Sequence, residues 1–558
     1  VRKMTRSLVF AAGLAVFLAC GVAAGAQGIA GVPAAGASAT GVPATGATGA
    51  AASAGGSPAA VTPAAGASAA AASSTSAGGA SAAASSAAAP SDTAAAPSAS
   101  ASSASPAPQR RPKLTLGAEG GYVQGGEADY WNGPTGRAYI NLDYEAKYFY
   151  LVAALSMYDN KKYGPTVANI SGGHLGNAYF LMDEGGIGTH VGPFDFSAGR
   201  FKQYDVIASP YSLFVNSDGN SALGMKLDYE DDVFFYETRW IELNSSSAVS
   251  TPSFPTGFPD RGANLKVYGF KIAPGMRFGF QDADTYTGRS FDPDYFFNPI
   301  PGYFIQYVKT VDGTPWYTGG YENSIVGMFW DWKRDDGLSF NAQVLIDDFS
   351  VFGLGGTPNN PWKLAWTFGG RMKTKYGTFG LYQAGATRYT FQATKGNAYP
   401  YSYTYYPDTR FPWGSDYYAI SIEDNSLGYK YGEDNLALLV DWTKPVSGCD
   451  LYASLEFLLA GTNSPTDPWN GQSYYPGGTE LLDDATIEKR VLATVSASWP
   501  AGRWRVYGSV SGGFAVDPLA LVAAPNAGTT GDYLYAAQTG QVQALMQLTI
   551  GAAYTWDL

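Results

Sequence analysis

Apolar and polar positions alternate without a break along 541–558. Val542, Ala544, Met546, Leu548, Ile550, Ala552, Tyr554, Trp556 and Leu558 form one set, and Gln541, Gln543, Leu545, Gln547, Thr549, Gly551, Ala553, Thr555 and Asp557 the other. Successive side chains of a strand point to opposite faces, so a period of two predicts a strand with one apolar face and one small or polar face. The pattern recurs upstream. In 137–146, Ala138, Ile140, Leu142 and Tyr144 oppose Arg137, Asn141, Asp143 and Glu145. In 363–373, Leu364, Trp366, Phe368 and Met372 oppose Lys363, Thr367, Arg371 and Lys373, and 338–347 behaves alike.

Segments of this kind begin near 114, 137, 148, 173, 193, 221, 233, 263, 275, 323, 337, 363, 376, 434, 450, 485, 502 and 541. They predict about eighteen strands, within a range of about 16 to 20. Connections after odd-numbered strands are long and those after even-numbered strands are short. That is the pattern of a transmembrane up-and-down antiparallel β-barrel, with long outside loops and short periplasmic turns. A soluble sandwich or propeller predicts connections of similar length at both ends. In hydrocarbon every backbone donor and acceptor needs a protein partner, so 541–558 is expected to pair with "KLTLGAEGGYV" at 113–123 and leave no edge. The apolar face then lies against outer-membrane lipid, with Tyr554 and Trp556 at an interface.

Composition divides the chain before any core is counted. Residues 1–26 carry Arg2, Lys3 and Arg6, the apolar run "LVFAAGLAVFLAC" and then "AGA" at 24–26, which reads as a secretory signal cut after Ala26. A cut before Cys20, with lipidation there, is the competing reading. Residues 27–112 are Ala, Ser, Gly, Pro and Thr with almost no charge. No apolar stripe offsets their ordering entropy, so a disordered periplasmic linker is expected. The barrel is expected over 113–558. Of the 13 Trp, 39 Tyr and 29 Phe, all but Phe10 and Phe17 fall there. After the signal no run of 18 apolar residues occurs, so helical spans are not expected. With Cys449 the one thiol beyond Cys20, no internal disulfide is expected. The net charge of −12 argues against nucleic acid as a partner.

The inward face of so wide a barrel carries both signs, with Glu119, Asp143, Glu145 and Glu488 against Arg371, Lys373, Arg503 and Arg505. It can order a solute or bind an oligosaccharide, or merely wet the lumen. Two long loops, 290–321 and 397–418, interleave aromatics with Asp, Asn and Pro. Sugar rings offer C–H faces to aromatic planes and hydroxyls to carboxylates, so Tyr295, Phe296, Tyr303, Trp316, Tyr401, Tyr403, Tyr405, Trp413 and Tyr417 are candidate ligand contacts. The alternative is a loop that folds into the lumen and packs on itself. The two histidines, His174 and His190 (the latter read as lying in a turn), sit in no nucleophile motif and with Cys449 give no zinc spacing. No enzymatic activity, cofactor or metal is expected.

The segments "FSAGRFKQYDVIASPYSLFVNSDGNSALGMKLDYEDD" (196–232) and "SIEDNSLGYKYGEDNLALLVDW" (421–442) resemble parts of the Wzi-type capsule-assembly barrels. The features concerned are the Ser/Asn turn at 216–220, the strand end 345–349 and the turn 427–434. The resemblance covers roughly 180–558. It implies an outer-membrane barrel of about eighteen strands that helps hold exopolysaccharide at the cell surface. Two functions are therefore expected as alternatives: binding or assembly of surface polysaccharide through the aromatic loops, or a porin for polar solutes. The expected partners are outer-membrane lipid, the barrel-assembly machinery and surface polysaccharide.

Overall fold

The computed structural model describes residues 112–125, 133–159, 172–175, 178–319, 322–348, 361–392, 402–413, 416–463, 480–523 and 533–558. The signal segment with Cys20 and Ala26, the linker apart from Pro112, and Tyr401 lie outside the described residues, as do the side chains of His174 and Trp413.

The first half of the barrel comprises β1 (Lys113–Gln124), β2 (Gly133–Glu145), β3 (Phe149–Tyr158), β4 (Ala178–Val191), β5 (Phe194–Phe201), β6 (Ala222–Glu230), β7 (Phe234–Asn244), β8 (Arg261–Ala273) and β9 (Met276–Thr287). The second comprises β10 (Glu322–Lys333), β11 (Leu338–Asp348), β12 (Lys363–Thr374), β13 (Gly377–Ala386), β14 (Asn435–Val446), β15 (Cys449–Ala460), β16 (Glu488–Ala501), β17 (Trp504–Val516) and β18 (Val542–Asp557). Each pairs antiparallel with the next. The last pairs with the first, from Lys113↔Asp557 to Gln124↔Met546, so 18 strands close into one barrel. Closure satisfies the backbone of both terminal strands, as the alternating pattern required.

Several expected strand starts move, those near 137 and 485 to Gly133 and Glu488 among them, and two further shifts change the reading. A strand was expected from about 173, but 172–175 is a short piece paired only with β4, whose own start is Ala178. The strand expected from 502 begins at Trp504, because Gly502, with φ of 66°, turns the chain. Arg503 therefore belongs to that turn and not to the lumen face. The short connections are tight for a stated reason: at 447–448 both Ser447 (φ 51°) and Gly448 (φ 82°) take positive φ, the two-residue geometry that matches strand twist.

The faces follow the sequence pattern. Thr555 faces Thr115 across the closing seam inside the barrel, with hydroxyls 3.1 Å apart, while Ile550 is 60% exposed on the outside among Leu116, Tyr122 and Met546. The barrel has no sheet-on-sheet core; its main cluster of buried apolar residues lies in the lumen, where long loops enter, and a smaller one of Tyr286, Tyr295 and Ile305 lies outside the wall.

Candidate functional site

The lumen is filled at its long-loop end by two loops that do not meet in sequence. The first, 202–221, follows β5 and turns inward around Asp205. The backbone N–H groups of Phe214 and Val215 donate to Asp205 Oδ2 at 3.0 and 3.1 Å, and the amides of Gln281 (β9) and Gln343 (β11) donate to Oδ1 at 3.0 and 3.1 Å. Burial pushes the Asp205 carboxyl up, opposed by those two amides. Gln343 also accepts from the Leu213 N–H at 2.8 Å, so one wall side chain fixes both edges of the turn.

The second loop contributes 402–434, including the short helix α3 (Ile422–Asn425). Fully buried Arg261 on β8 donates to the carbonyls of Ser402, Thr404 and Tyr405 at 2.8, 3.0 and 3.2 Å. The two loops then grip each other. The Asn216 N–H donates to the Leu427 carbonyl at 2.7 Å, and Tyr403 Oη donates to the Phe214 carbonyl at 2.7 Å. The rings of Tyr211, Tyr429 and Tyr431 form a triangle with centroids 5.8–6.2 Å apart. Tyr211 and Tyr431 both donate to Glu456 Oε1 on β15 at 2.7 Å, and Lys430 Nζ lies 3.6 Å from the same oxygen. Burial and Glu456 push the Tyr211 phenol up, so it stays a donor. Burial opposes the Lys430 charge, but Glu456 and Asp218 hold its ammonium well above the usual lysine range. The facing wall is small where the loops pack, with Ala263, Ala283, Ala365, Ala384 and Ala437 all buried. Here the two segments that carry the family resemblance meet, through Asn216, Asp218 and Asn220 against Glu423, Asp424, Leu427 and Lys430.

Between this plug and the short-turn end lies a cavity of about 1850 Å³. Its wall alternates signs: Lys226 bridges Asp228 and Glu237 at 3.0 and 3.2 Å, Arg277 meets Asp331 at 2.6 Å, and Arg371 meets Asp441 at 3.0 Å. Of the expected lumen residues, Asp143, Glu145, Arg371 and Arg505 line it. Glu119 faces the lumen beside Arg137 at 3.2 Å, and Lys373 shares the inward face of β12 with Arg371. Glu488 is buried under the plug, where it accepts the Leu519 N–H at 2.7 Å. His190 lies on β4, not in a turn, and pairs with Asp195 near the short-turn end. Among the described residues no group of three His, Cys, Asp or Glu is arranged to hold a metal.

The loop 288–321 goes the other way. On β8, Ala263, Leu265 and Val267 are the inward set, so Asn264, Lys266 and Tyr268 point outward; their partners on β9 are Asp284, Asp282 and Phe280. Lys266, Asp282 and Asp284 are nonetheless 0% exposed. The loop covers them with two helices, α1 (Pro293–Phe297) and α2 (Gly302–Lys309). Lys266 Nζ donates to the Ile300 carbonyl and the Gly302 N–H to Asp282 Oδ2, each at 2.6 Å. Trp240 Nε1 donates to the Ser290 carbonyl at 2.6 Å, and Thr238 Oγ1 to that of Phe296 at 3.0 Å. Tyr295 stacks on Tyr286 with centroids 5.3 Å apart and donates to Glu322 at 2.5 Å.

This overturns part of the ligand assignment. Tyr295 and Phe296 are 0% and 2% exposed under the outer cover and Tyr403 is buried in the plug, so none of the three offers a free ring face, while half-buried Tyr405 packs against the plug. Tyr303 is half-buried; Trp316 and Tyr417 are exposed, at 54% and 45%. The residues that fix the architecture, Asp205, Arg261 and Lys266, escaped notice. For Lys266 a signal existed: 278–286 read at period two gives Phe278, Phe280, Asp282, Asp284 and Tyr286, an outward series interrupted by two charges.

No family model matches the chain, and no curated protein matches it in sequence. Solved structures that it is similar to include Wzi, described as an outer-membrane protein involved in group 1 capsule assembly in Escherichia coli and a carbohydrate-binding β-barrel, at TM-score 0.46 and 10% identity over 81% of this chain and 85% of that one. OprD of Pseudomonas aeruginosa follows at TM-score 0.40 and 10% identity, over 80% of this chain and 94% of that one. OccAB4 of Acinetobacter baumannii stands at TM-score 0.39 and 9% identity, over 81% of this chain and all of that one.

Proposed function

We propose that the protein is an outer-membrane barrel that holds surface polysaccharide at its long-loop end and does not conduct solute. The observation that carries this reading is the plug: loops 202–221 and 402–434 are locked into the lumen through Asp205, Arg261 and Glu456. A barrel built to pass solute gains nothing from filling its bore with buried tyrosines. Exposed Trp316 and Tyr417, with half-buried Tyr303, supply aromatic planes for sugar C–H faces. The test is a pull-down on an array of bacterial surface polysaccharides, run beside planar-bilayer recording. The reading expects a silent bilayer and retention that falls at least several-fold in Trp316→Ala/Tyr417→Ala. Stable open steps, or retention unchanged in the double variant, would overturn it.

The second reading is a channel for polar solutes. The cavity of about 1850 Å³ with paired carboxylates and cations favours it, since such a wall orders dipoles. Open conductance in the same recording is its signature.

A further inference from the structure

The outer cover has its polarity reversed for a protein bathed in water. Along α2 the buried positions are Gly302, Ile305 and Lys309, whereas Phe304, Tyr307 and Val308 are exposed. Phe297 at the end of α1, the most exposed of the set at 68%, and Ile300 between the two helices extend this apolar surface, and Val311 extends it beyond. A surface helix in water places its apolar stripe toward the protein. Here the inward side carries charge. Lys309 is held by Asp292 at 2.6 Å, Arg289 by Asp292 and Glu322, and Gly302 by Asp282.

The position of the cover on the wall explains the reversal. The register passes from Asp282 through Val326, Ile346 and Leu364 on one side, and from Lys266 through Thr238, Leu227 and Phe196 on the other. Its outward residues on both flanks are largely apolar, so the charged patch interrupts the hydrophobic band rather than standing above it. Without the loop, Lys266, Asp282 and Asp284 in that band would face hydrocarbon. The loop gives Lys266 and Asp282 hydrogen-bond partners, covers Asp284, which accepts from Ser324 on β10, and replaces their outward face with Phe297, Ile300, Phe304, Tyr307 and Val308. The exposed apolar face of the cover is thus continuous with the lipid-facing surface of the barrel.

We infer that the helical part of this loop, α1 and α2 with the turn between them, is a membrane-embedded cover, docked by the face of Phe297, Ile300, Phe304, Tyr307 and Val308 against the acyl chains of the leaflet at the long-loop end. Gly302 is where the fit is tightest, because a Cβ there would overlap the Asp284 carboxylate. The inference is independent of what the plug or Tyr417 binds; Trp316 lies in the same loop, beyond the apolar face of the two helices.

Site-specific labelling tests it in the full-length protein carrying Cys449→Ser and Cys20→Ser, reconstituted in phosphatidylcholine liposomes. Single variants Phe304→Cys, Tyr307→Cys and Val308→Cys receive a polarity-sensitive fluorophore. Ile550→Cys on the lipid face and Asp218→Cys in the plug serve as references. Each labelled protein is first checked for heat-modifiable migration, which reports a folded barrel, and three sites keep the test alive if one variant fails to fold. The expected result is quenching by acyl-chain nitroxide lipids matching that at Ile550→Cys, and at least several-fold weaker quenching by aqueous iodide than at Asp218→Cys. Labels that follow Asp218→Cys overturn the inference. So do labels shielded from both quenchers that cross-link between copies, which would make the face a contact between two barrels.

Discussion

Two aromatic loops, both rich in Tyr, leave the same end of the barrel and settle on opposite sides of its wall. The segment 402–434 folds inward and 288–321 folds outward. Aromatic content does not decide between them. What decides is the wall that each one meets: the plug finds small inward residues such as Ala263, Ala283 and Ala384 with Arg261 waiting among them, whereas the cover finds outward Lys266, Asp282 and Asp284. A loop goes where its backbone carbonyls and amides are needed to pair buried charge. Hydrophobicity then finishes each surface, toward the lumen in one case and toward lipid in the other.

The most severe way to break this contrast is to remove each loop in turn. Replacing 290–318 with a short Gly/Ser linker leaves Lys266, Asp282 and Asp284 facing hydrocarbon, the lysine costing about 2–4 kcal/mol near the midplane, each aspartate less, and all of them less toward the interface. The folded, heat-modifiable species should be lost, and Lys266→Leu/Asp282→Leu/Asp284→Leu in the same background should restore it. Removing 402–420 instead should leave a folded barrel and raise bilayer conductance. If both deletions fold equally well, the outward charges do not need their cover.

Next in size is a pair of changes on one strand. Ile550→Arg puts a charge on the lipid side of β18 and should cost about 2–4 kcal/mol if it lies near the midplane, while its neighbour Thr549→Arg, pointing inward, should be milder. Urea titration of folded protein in liposomes measures both, and the reverse order would invert the two faces.

Within the plug, Asp205→Ala leaves the Phe214 and Val215 N–H groups and two wall amides without their acceptor. The expected loss is on the order of 1–3 kcal/mol for each buried group left unpaired. It should appear locally, as faster proteolysis within 202–221 and flickering conductance, with the barrel intact. Unchanged protease resistance would show that Asp205 does not pin the loop.

The smallest effect concerns Asp434, which accepts the Leu482 N–H at 2.6 Å beside the start of β14. Burial pushes its carboxyl up to about 6. The folded state therefore binds this proton more tightly than the unfolded chain, whose aspartates titrate near about 4. The stabilisation is fully present below about pH 4 and is lost as pH rises through about 6. Amide exchange at Leu482 and Gly461, corrected for its intrinsic pH dependence, should be more protected at pH 4 than at pH 7, and Asp434→Asn should flatten that difference.

The sequence by itself determined the barrel. Alternation at period two fixes which side chains face lipid, and from Ile140 and Trp366 to Ile550 the assignment holds in three dimensions. The alternating segments put the strand count near eighteen, the long and short connections pointed to a membrane barrel, and the closing partner followed because hydrocarbon tolerates no unpaired edge. The inward placement of Asp143, Arg371 and Arg505 was legible for the same reason, since face is a local property of a strand. Arg503 was not, because a shift of two residues at a turn removes a side chain from the face altogether. Only the tertiary structure decided where the long loops go. Tyr295 and Tyr403 look alike in sequence, and what buried one against Glu322 outside and the other against Phe214 inside is a set of wall residues scattered over β7 to β11. Those residues become neighbours only when successive strands pair in register, so where each loop docks is a property of the assembled wall, and its one local sign was the pair of charges, Asp282 and Asp284, that interrupts the outward series of 278–286.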